Sequence, residues 1–503
     1  MQLQNILIRT VLSIPLTLAL AATPLHAAEE SEPTDTSVSE NSEGLPPVSA
    51  QKKKEVPEQI SVIGQTLGSD TYFNTDTLWQ DAPVDAGEAL KVAPGISMIR
   101  KGGYANDLVL RGFSRDRLNM VIDGQKVHGA GPNRMDPPIL QVDPSEIEAL
   151  ELVKGPFDVR HPGSMGGVVQ LRTKDPKEGT HATLKTGAGS FDHQDVAGSV
   201  SHGGEKLSGL VGGAFRQGDP YKTGNGDRIT EIYDAADPNR YLDDSKRDKA
   251  FEASNLWGKV IFEPQEGHKI SLSASRQSAD DVIYPYLIMD ATKDKTLRAA
   301  LSYDLDFDQE DNPLSKLHFA LHWDDADHDM NNANRARSAM MEMLTEADST
   351  TASTRFYAEF ETLGGVLTSG LDYMQRDWDV DNYMQMMMAP LISQNMIPDT
   401  EQENFGAFLD YERDLSHDLR LQTGLRLDYN EIEAGEAPTG APGMGVSYDD
   451  YWAGSKDSND NTELSGNVRL FWDATDRLLV FTGLGRGVRM PDGLESYVAR
   501  GVM

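Results

Sequence analysis

The stretch DLVLRGFSRDRLNMVIDGQKVHGAGPNRM, residues 107–135, decides how the rest of the chain is read. It holds two apolar runs, residues 108–110 and 118–122, followed by the turn pairs Arg111-Gly112 and Asp123-Gly124. Short apolar runs bounded by such turns read as strands, and their spacing predicts one compact sheet. Residues 128–135, His-Gly-Ala-Gly-Pro-Asn-Arg-Met, then exclude helix and strand while keeping an imidazole and a thioether close in the chain. This loop is the expected seat of the chemistry.

Upstream, residues 85–92 have helical spacing and stop at Ala93-Pro94-Gly95. Downstream, residues 145–153 follow Asp143-Pro144, which predicts a short helical start leading into a strand, with turns at 154–156 and 164–167. Residues 65–175 thus form a small α+β domain. The series APGI (93–96), LRGF (110–113), VIDG (121–124), VDPSEIEALELVKGP (142–156) and GGVVQLRT (166–173) resembles the plug domain of TonB-dependent outer-membrane receptors. GPNRMDPP (131–138) and YPYLIMDA (284–291) resemble the copper-type receptors of that family. The resemblance implies a plug inside a transmembrane barrel in the Gram-negative outer membrane, driven by a TonB-type energy-coupling protein at the periplasmic side.

The ends of the chain fit that setting. Arg9, an apolar run over 11–22 and a small residue at Ala27 describe a signal peptide over 1–27, with an N-terminal anchor as the alternative. Residues 28–57, rich in Ser, Glu, Pro and Lys, read as a solvated tether. Glu58, Gln59, Ile60, Ser61, Val62 and Ile63 follow as a short apolar alternation able to add to a partner's sheet edge. Through Gly64 this stretch resembles a TonB box; the other reading is the first strand of the plug. A net charge of −34 argues against nucleic acid, since phosphate binding needs a cationic footprint. With no cysteine there is no disulfide framework and no thiolate metal site.

Beyond the leader no apolar stretch is long enough for a membrane helix, and mean hydropathy is −0.48. A barrel escapes that test because its strands alternate lipid-facing and lumen-facing residues. After residue 180 the pattern becomes segments of about ten residues with period two, as a membrane barrel requires. The candidate strands are 182–189, 194–201, 207–217, 256–263, 269–276, 297–307, 317–325, 355–361, 365–376, 405–412, 419–429, 467–472 and 478–485. The expected fold is an all-β transmembrane barrel, in contact with outer-membrane lipid, behind an N-terminal α+β plug. Plugged transporters of this kind have roughly 22 strands, so residues 180–503 are expected to be a partial barrel from a fragment or a truncated reading frame. A secreted β-rich binding protein is the alternative from another class. No nucleophile elbow, HExxH or phosphate loop is present, so neither an enzyme nor a catalytic cofactor is expected.

Ten of the 19 methionines lie between Met330 and Met396. Clustered thioethers are soft ligands that select Cu(I), although methionine also serves as apolar filler. Over 317–325, Leu317, Phe319, Leu321 and Trp323 form the lipid-facing set, so His318, His322 and Asp324 point inward, and the same parity carries on to His328 and Met330. With Met135 from the loop they make an expected soft metal site of one imidazole and two thioethers. The resemblance points to the same residues: copper-type receptors carry Cys-x-x-x-Met in the plug loop and His-x-Met on the barrel. Here Gly131 stands at the cysteine position, so the thiolate is missing and Cu(I) should be held more weakly. His128 is a weaker candidate for a substitute nitrogen, its alternative being a solvated loop histidine. The expected function is uptake of copper or a copper chelate, with a ferric-siderophore or other metal-chelate receptor as the alternative.

Overall fold

A computed structural model describes residues 65–67, 70–74, 83–307, 312–388, 391–435, 458–475 and 477–498. The expected signal peptide (1–27), the expected tether (28–57) and residues 58–64 lie outside the described residues.

The first part of the chain builds β1 (Gln65–Leu67), β2 (Asp70–Asn74), α1 (Ala86–Leu90), β3 (Ile96–Ile99), β4 (Asp107–Leu110), β5 (Phe113–Ser114), β6 (Asn119–Ile122), β7 (Gln125–Lys126), β8 (Ile147–Lys154) and β9 (Gly167–Thr173). Asp85 caps α1 by accepting from Glu88 N at 2.7 Å, a contact of the kind worth about 1 kcal/mol. The apolar runs close one core in which Leu90, Leu108, Leu110, Ile122, Ile147, Leu150 and Leu171 are buried.

Two sequence expectations need correction here. The runs at 108–110 and 118–122 do not share a sheet: β4 pairs with β3 and β5, whereas β6 pairs with β7 and, in parallel, with β9. The cause is local. Arg111 and Gly112, at φ 50 and 85, fold β5 back on β4, and a 3-10 turn at Arg115–Arg117 then redirects the chain. The second correction is that no helix starts at Ser145. Residues 144–146 form a turn into β8, and Ser145 N bonds the Asp143 carboxylate at 2.7 Å. The Asp123-Gly124 turn stands as read, with both residues at positive φ, 47 and 84, the conformation a two-residue hairpin needs.

The rest of the chain forms one sheet of thirteen antiparallel strands, each paired with its neighbours in sequence. They are β10 (Gly179–Gly189), β11 (His193–Gly203), β12 (Leu207–Gly218), β13 (Phe251–Phe262), β14 (His268–Val282), β15 (Asp290–Asp306), β16 (Leu314–Asn331), β17 (Met341–Thr362), β18 (Gly365–Met386), β19 (Ile392–Ser416), β20 (Leu419–Glu433), β21 (Ser458–Thr475) and β22 (Leu478–Arg486). Every expected segment falls on one of these strands, to within a residue at its ends. An exposed apolar row, including Leu184, Leu256, Leu272, Leu321, Leu371 and Leu425, marks the lipid face. The strands are longer than expected. β19 has 25 residues, which at about 3.3 Å each outreaches a hydrocarbon layer of about 30 Å even when tilted. Among the described residues no helix is long and apolar enough to cross a membrane.

Inward-facing polar side chains of the wall grip the plug. Arg216 pairs with Asp143, Arg298 Nη2 lies 3.1 Å from Glu146 Oε1, and Gln125 Nε2 donates to Asp324 Oδ1 at 2.6 Å. Burial pushes the Glu146 carboxyl up to about 7 in spite of the neighbouring Arg298. The plug is thereby seated in one register against the wall.

Candidate metal centre

The loop at 128–135 owes its shape to Asp136. Its two carboxylate oxygens accept from Ala130 N at 2.5 Å and Gly131 N at 2.8 Å, turning the chain back on itself. A Cβ at Gly131 would stand 2.4 Å from Asp136 Oδ1 and 3.0 Å from His328 Cδ2, so only glycine fits without displacing that carboxylate. The barrel holds both ends of the loop. Arg376 Nη2 donates to Gly129 O and Trp378 Nε1 to Ala130 O, each at 2.7 Å, and Tyr284 OH donates to Met135 O at 2.8 Å.

Opposite the loop, the inward set of β16 is buried as its parity requires: Asp324 0%, Ala326 2%, His328 0% and Met330 4% exposed. Asp294 on β15 pairs directly with His328 in the ladder, and its Oδ2 lies 3.7 Å from Nδ1. Among the described residues neither ring nitrogen of His328 has a hydrogen-bond partner.

Met135, His328 and Met330 line one cavity of about 340 Å³. Four further methionines, Met289, Met343, Met384 and Met396, share its wall with Leu287, Ile288, Leu344 and Ile392. Asn382 Nδ2 contacts Met396 Sδ at 3.2 Å. Met340, Met386, Met387 and Met388 are exposed and do not line the cavity, while Met374 lies further along β18 and Met341 is half-buried. The filler reading of the methionines has structural support: Met330 and Met396 pack in apolar clusters, with Tyr104 and Phe251 or with Trp378 and Val380. Among the described residues no three His, Cys, Asp or Glu side chains are arranged to hold a metal. A metal bound here would therefore depend on sulfur.

His128 is not on this wall. Nor is it a solvated loop histidine: its Nε2 is buried without a partner, and burial beside Arg376, Lys126 and Arg134 holds the ring well below its ordinary 6.5. Cationic surroundings make it a poor seat for a metal ion. His318 and His322 line a separate cavity of about 310 Å³ against the plug, together with His161 and Arg355. Met289, Tyr284 and Asp294 escaped the sequence reading as parts of the site. YPYLIMDA carried two of them, but nothing in its pattern showed that this segment faces the loop at 128–135.

A plug packed against the inner wall of an apolar-faced antiparallel sheet, with a cavity between them, is the architecture of a plugged outer-membrane barrel. The sequence comparisons sharpen that class: the family model for the TonB dependent receptor-like beta-barrel matches residues 223–501 and that for the TonB-dependent receptor plug domain residues 52–168. The chain belongs to the TonB-dependent receptor family, whose members are receptors of the Gram-negative outer membrane rather than enzymes. That assignment removes the secreted β-rich protein. Among solved structures, the copper transporter OprC is similar over 86% of this chain and 65% of its own, at TM-score 0.73 and 23% identity. The ferric yersiniabactin uptake receptor FyuA from Yersinia pestis is similar over 82% of this chain and 63% of its own, at TM-score 0.63 and 14% identity. The ferric aerobactin receptor of Klebsiella pneumoniae is 29% identical over 155 residues, 29% of this chain and 20% of its own. The chain spans less than two thirds of the length of these relatives.

Proposed function

We propose that this chain captures copper, as Cu(I) or a compact copper chelate, from the external side of the outer membrane, with Met135, His328 and Met330 as ligands. The observation that carries the proposal is the convergence, in one cavity, of a fully buried imidazole without hydrogen-bond partners and six thioethers. Such donors favour Cu(I) over hard cations. The fold likeness to a copper transporter points the same way. Release into the periplasm follows remodelling of the plug when a TonB-type partner, paired with residues 58–63, pulls on it. No covalent step is involved.

The test is an anaerobic Cu(I) titration of the purified protein against a competing chelator. Replacing both Met135 and His328 by alanine is expected to weaken binding by on the order of 100-fold; unchanged affinity removes the site.

A second reading, a ferric or other metal-chelate receptor, is favoured by the cavity itself. At about 340 Å³ it exceeds the need of a bare ion and reaches the range of small-molecule pockets, about 300–1,000 Å³. Two of the similar proteins are named for ferric chelates. Binding of a ferric chelate that the Met135→Ala, His328→Ala variant leaves intact would establish this reading instead.

A further inference from the structure

A monovalent cation held only by thioethers and a neutral imidazole brings an unbalanced charge into an apolar cavity, which low-dielectric surroundings penalise heavily. Two buried carboxylates flank the ring, and they are not equivalent. Asp136, 6% exposed, has both oxygens committed to the amides of Ala130 and Gly131. It shapes the loop. Asp294, 3% exposed, has no hydrogen-bond partner for Oδ2 among the described residues, and that oxygen lies 3.7 Å from His328 Nδ1.

Buried polar atoms without partners are rare, because each forfeits its hydration without return. Here three such atoms sit together: Asp294 Oδ2 and both nitrogens of His328. One arrangement resolves all of them. If the ring proton is on Nδ1 and turned to Asp294, the Nε2 lone pair is free for an ion in the cavity. A carboxylate behind a ligating histidine fixes tautomer and ring orientation and strengthens the donor. The ladder makes this geometry robust, since Asp294 and His328 are directly opposed across β15 and β16. Lys101 of the plug carries a buried ammonium with no hydrogen-bond partner among the described residues.

We propose that Asp294 is the positioning residue of the soft site: it holds His328 with Nε2 toward the cavity and supplies the negative charge that neutral ligands lack. The inference rests on the metal reading given above. The site is thereby matched to a free monovalent ion arriving with no anion of its own.

The test uses the full chain in detergent, titrated with Cu(I) and with Ag(I), alongside X-ray absorption of the copper-loaded protein. Asp294→Ala is expected to weaken Cu(I) binding about 10- to 100-fold and to remove the nitrogen scatterer while keeping the sulfurs. Asp294→Asn, nearly identical in shape, is expected to weaken binding through lost charge while retaining the nitrogen, and Asp294→Glu to restore most of the affinity. In a His328→Ala background Asp294→Ala should cost less than it does in the wild type, and no more than Asp294→Asn costs alone, because only the charge is then left to lose. Wild-type affinity and scatterers in Asp294→Ala and Asp294→Asn overturn the inference. If His328→Ala also binds as wild type, it is the copper site that fails; if His328→Ala is weakened, only the role of Asp294 does.

Discussion

At the scale of single residues, the two histidines of the candidate site are set apart by what surrounds them. His328 faces carboxylates and thioethers, whereas burial, together with Arg376, Lys126 and Arg134 nearby, holds His128 neutral. Because the folded pKa of His128 is depressed, the unfolded chain binds more protons as the pH falls through about 6.5, so this residue removes stability on acidification. His128→Gln is therefore expected to flatten the decline of the thermal midpoint between about pH 8 and about pH 5 without changing Cu(I) affinity. Tyr284 acts through the backbone of Met135. Tyr284→Phe deletes one buried hydrogen bond of about 1 kcal/mol and should weaken Cu(I) binding about fivefold, read in the same chelator competition. Parity made Met330 and His328 legible in the sequence, because facing is a local property of a strand. Asp294 was not legible, because its relevance depends on which strand lies next to β16 and in what register.

At the scale of elements, three external links are tied together by Arg335. Its Nη2 lies 2.7 Å from Asp290 Oδ1, 2.6 Å from Tyr241 OH and 3.0 Å from Tyr284 O, and the guanidinium stacks 3.7 Å over the Tyr241 ring. Removing one member of a buried ion pair costs about 3–5 kcal/mol locally. Arg335→Ala is thus expected to accelerate limited proteolysis within residues 219–250 while barrel melting changes little. The centres of the barrel strands were readable from period two alone, but their lengths were not. Above the membrane the alternation continues with polar outward residues such as Glu346 on β17, so no hydropathy step marks where lipid ends. In the plug the two apolar runs were readable as strands and their partners were not, since a single 3-10 turn at Arg115–Arg117 sends β6 to another sheet.

At the scale of the whole molecule, the proposed uptake depends on how the plug is clamped and how it lets go. Arg376 bonds Gly129 O and Ser349 Oγ and lies 4.0 Å over the Trp378 ring, which in turn bonds Ala130 O. Arg376→Ala with Trp378→Phe removes these hydrogen bonds, worth about 1 kcal/mol each, and should speed amide exchange at residues 128–136 about tenfold or more while β16 to β18 stay protected. By itself the sequence determined the class: a turn-rich plug, a period-two sheet and an inward His-x-Met are all written in residues near one another in the chain. Only the tertiary structure decided that Met289, Met343, Met384 and Met396 join Met135 around His328, and that Asp136 stands against the bare face of Gly131. The reason is physical. Which way a side chain points follows from local backbone geometry, but which side chains meet across the gap between plug and wall follows from strand register and from the seating of one domain in another.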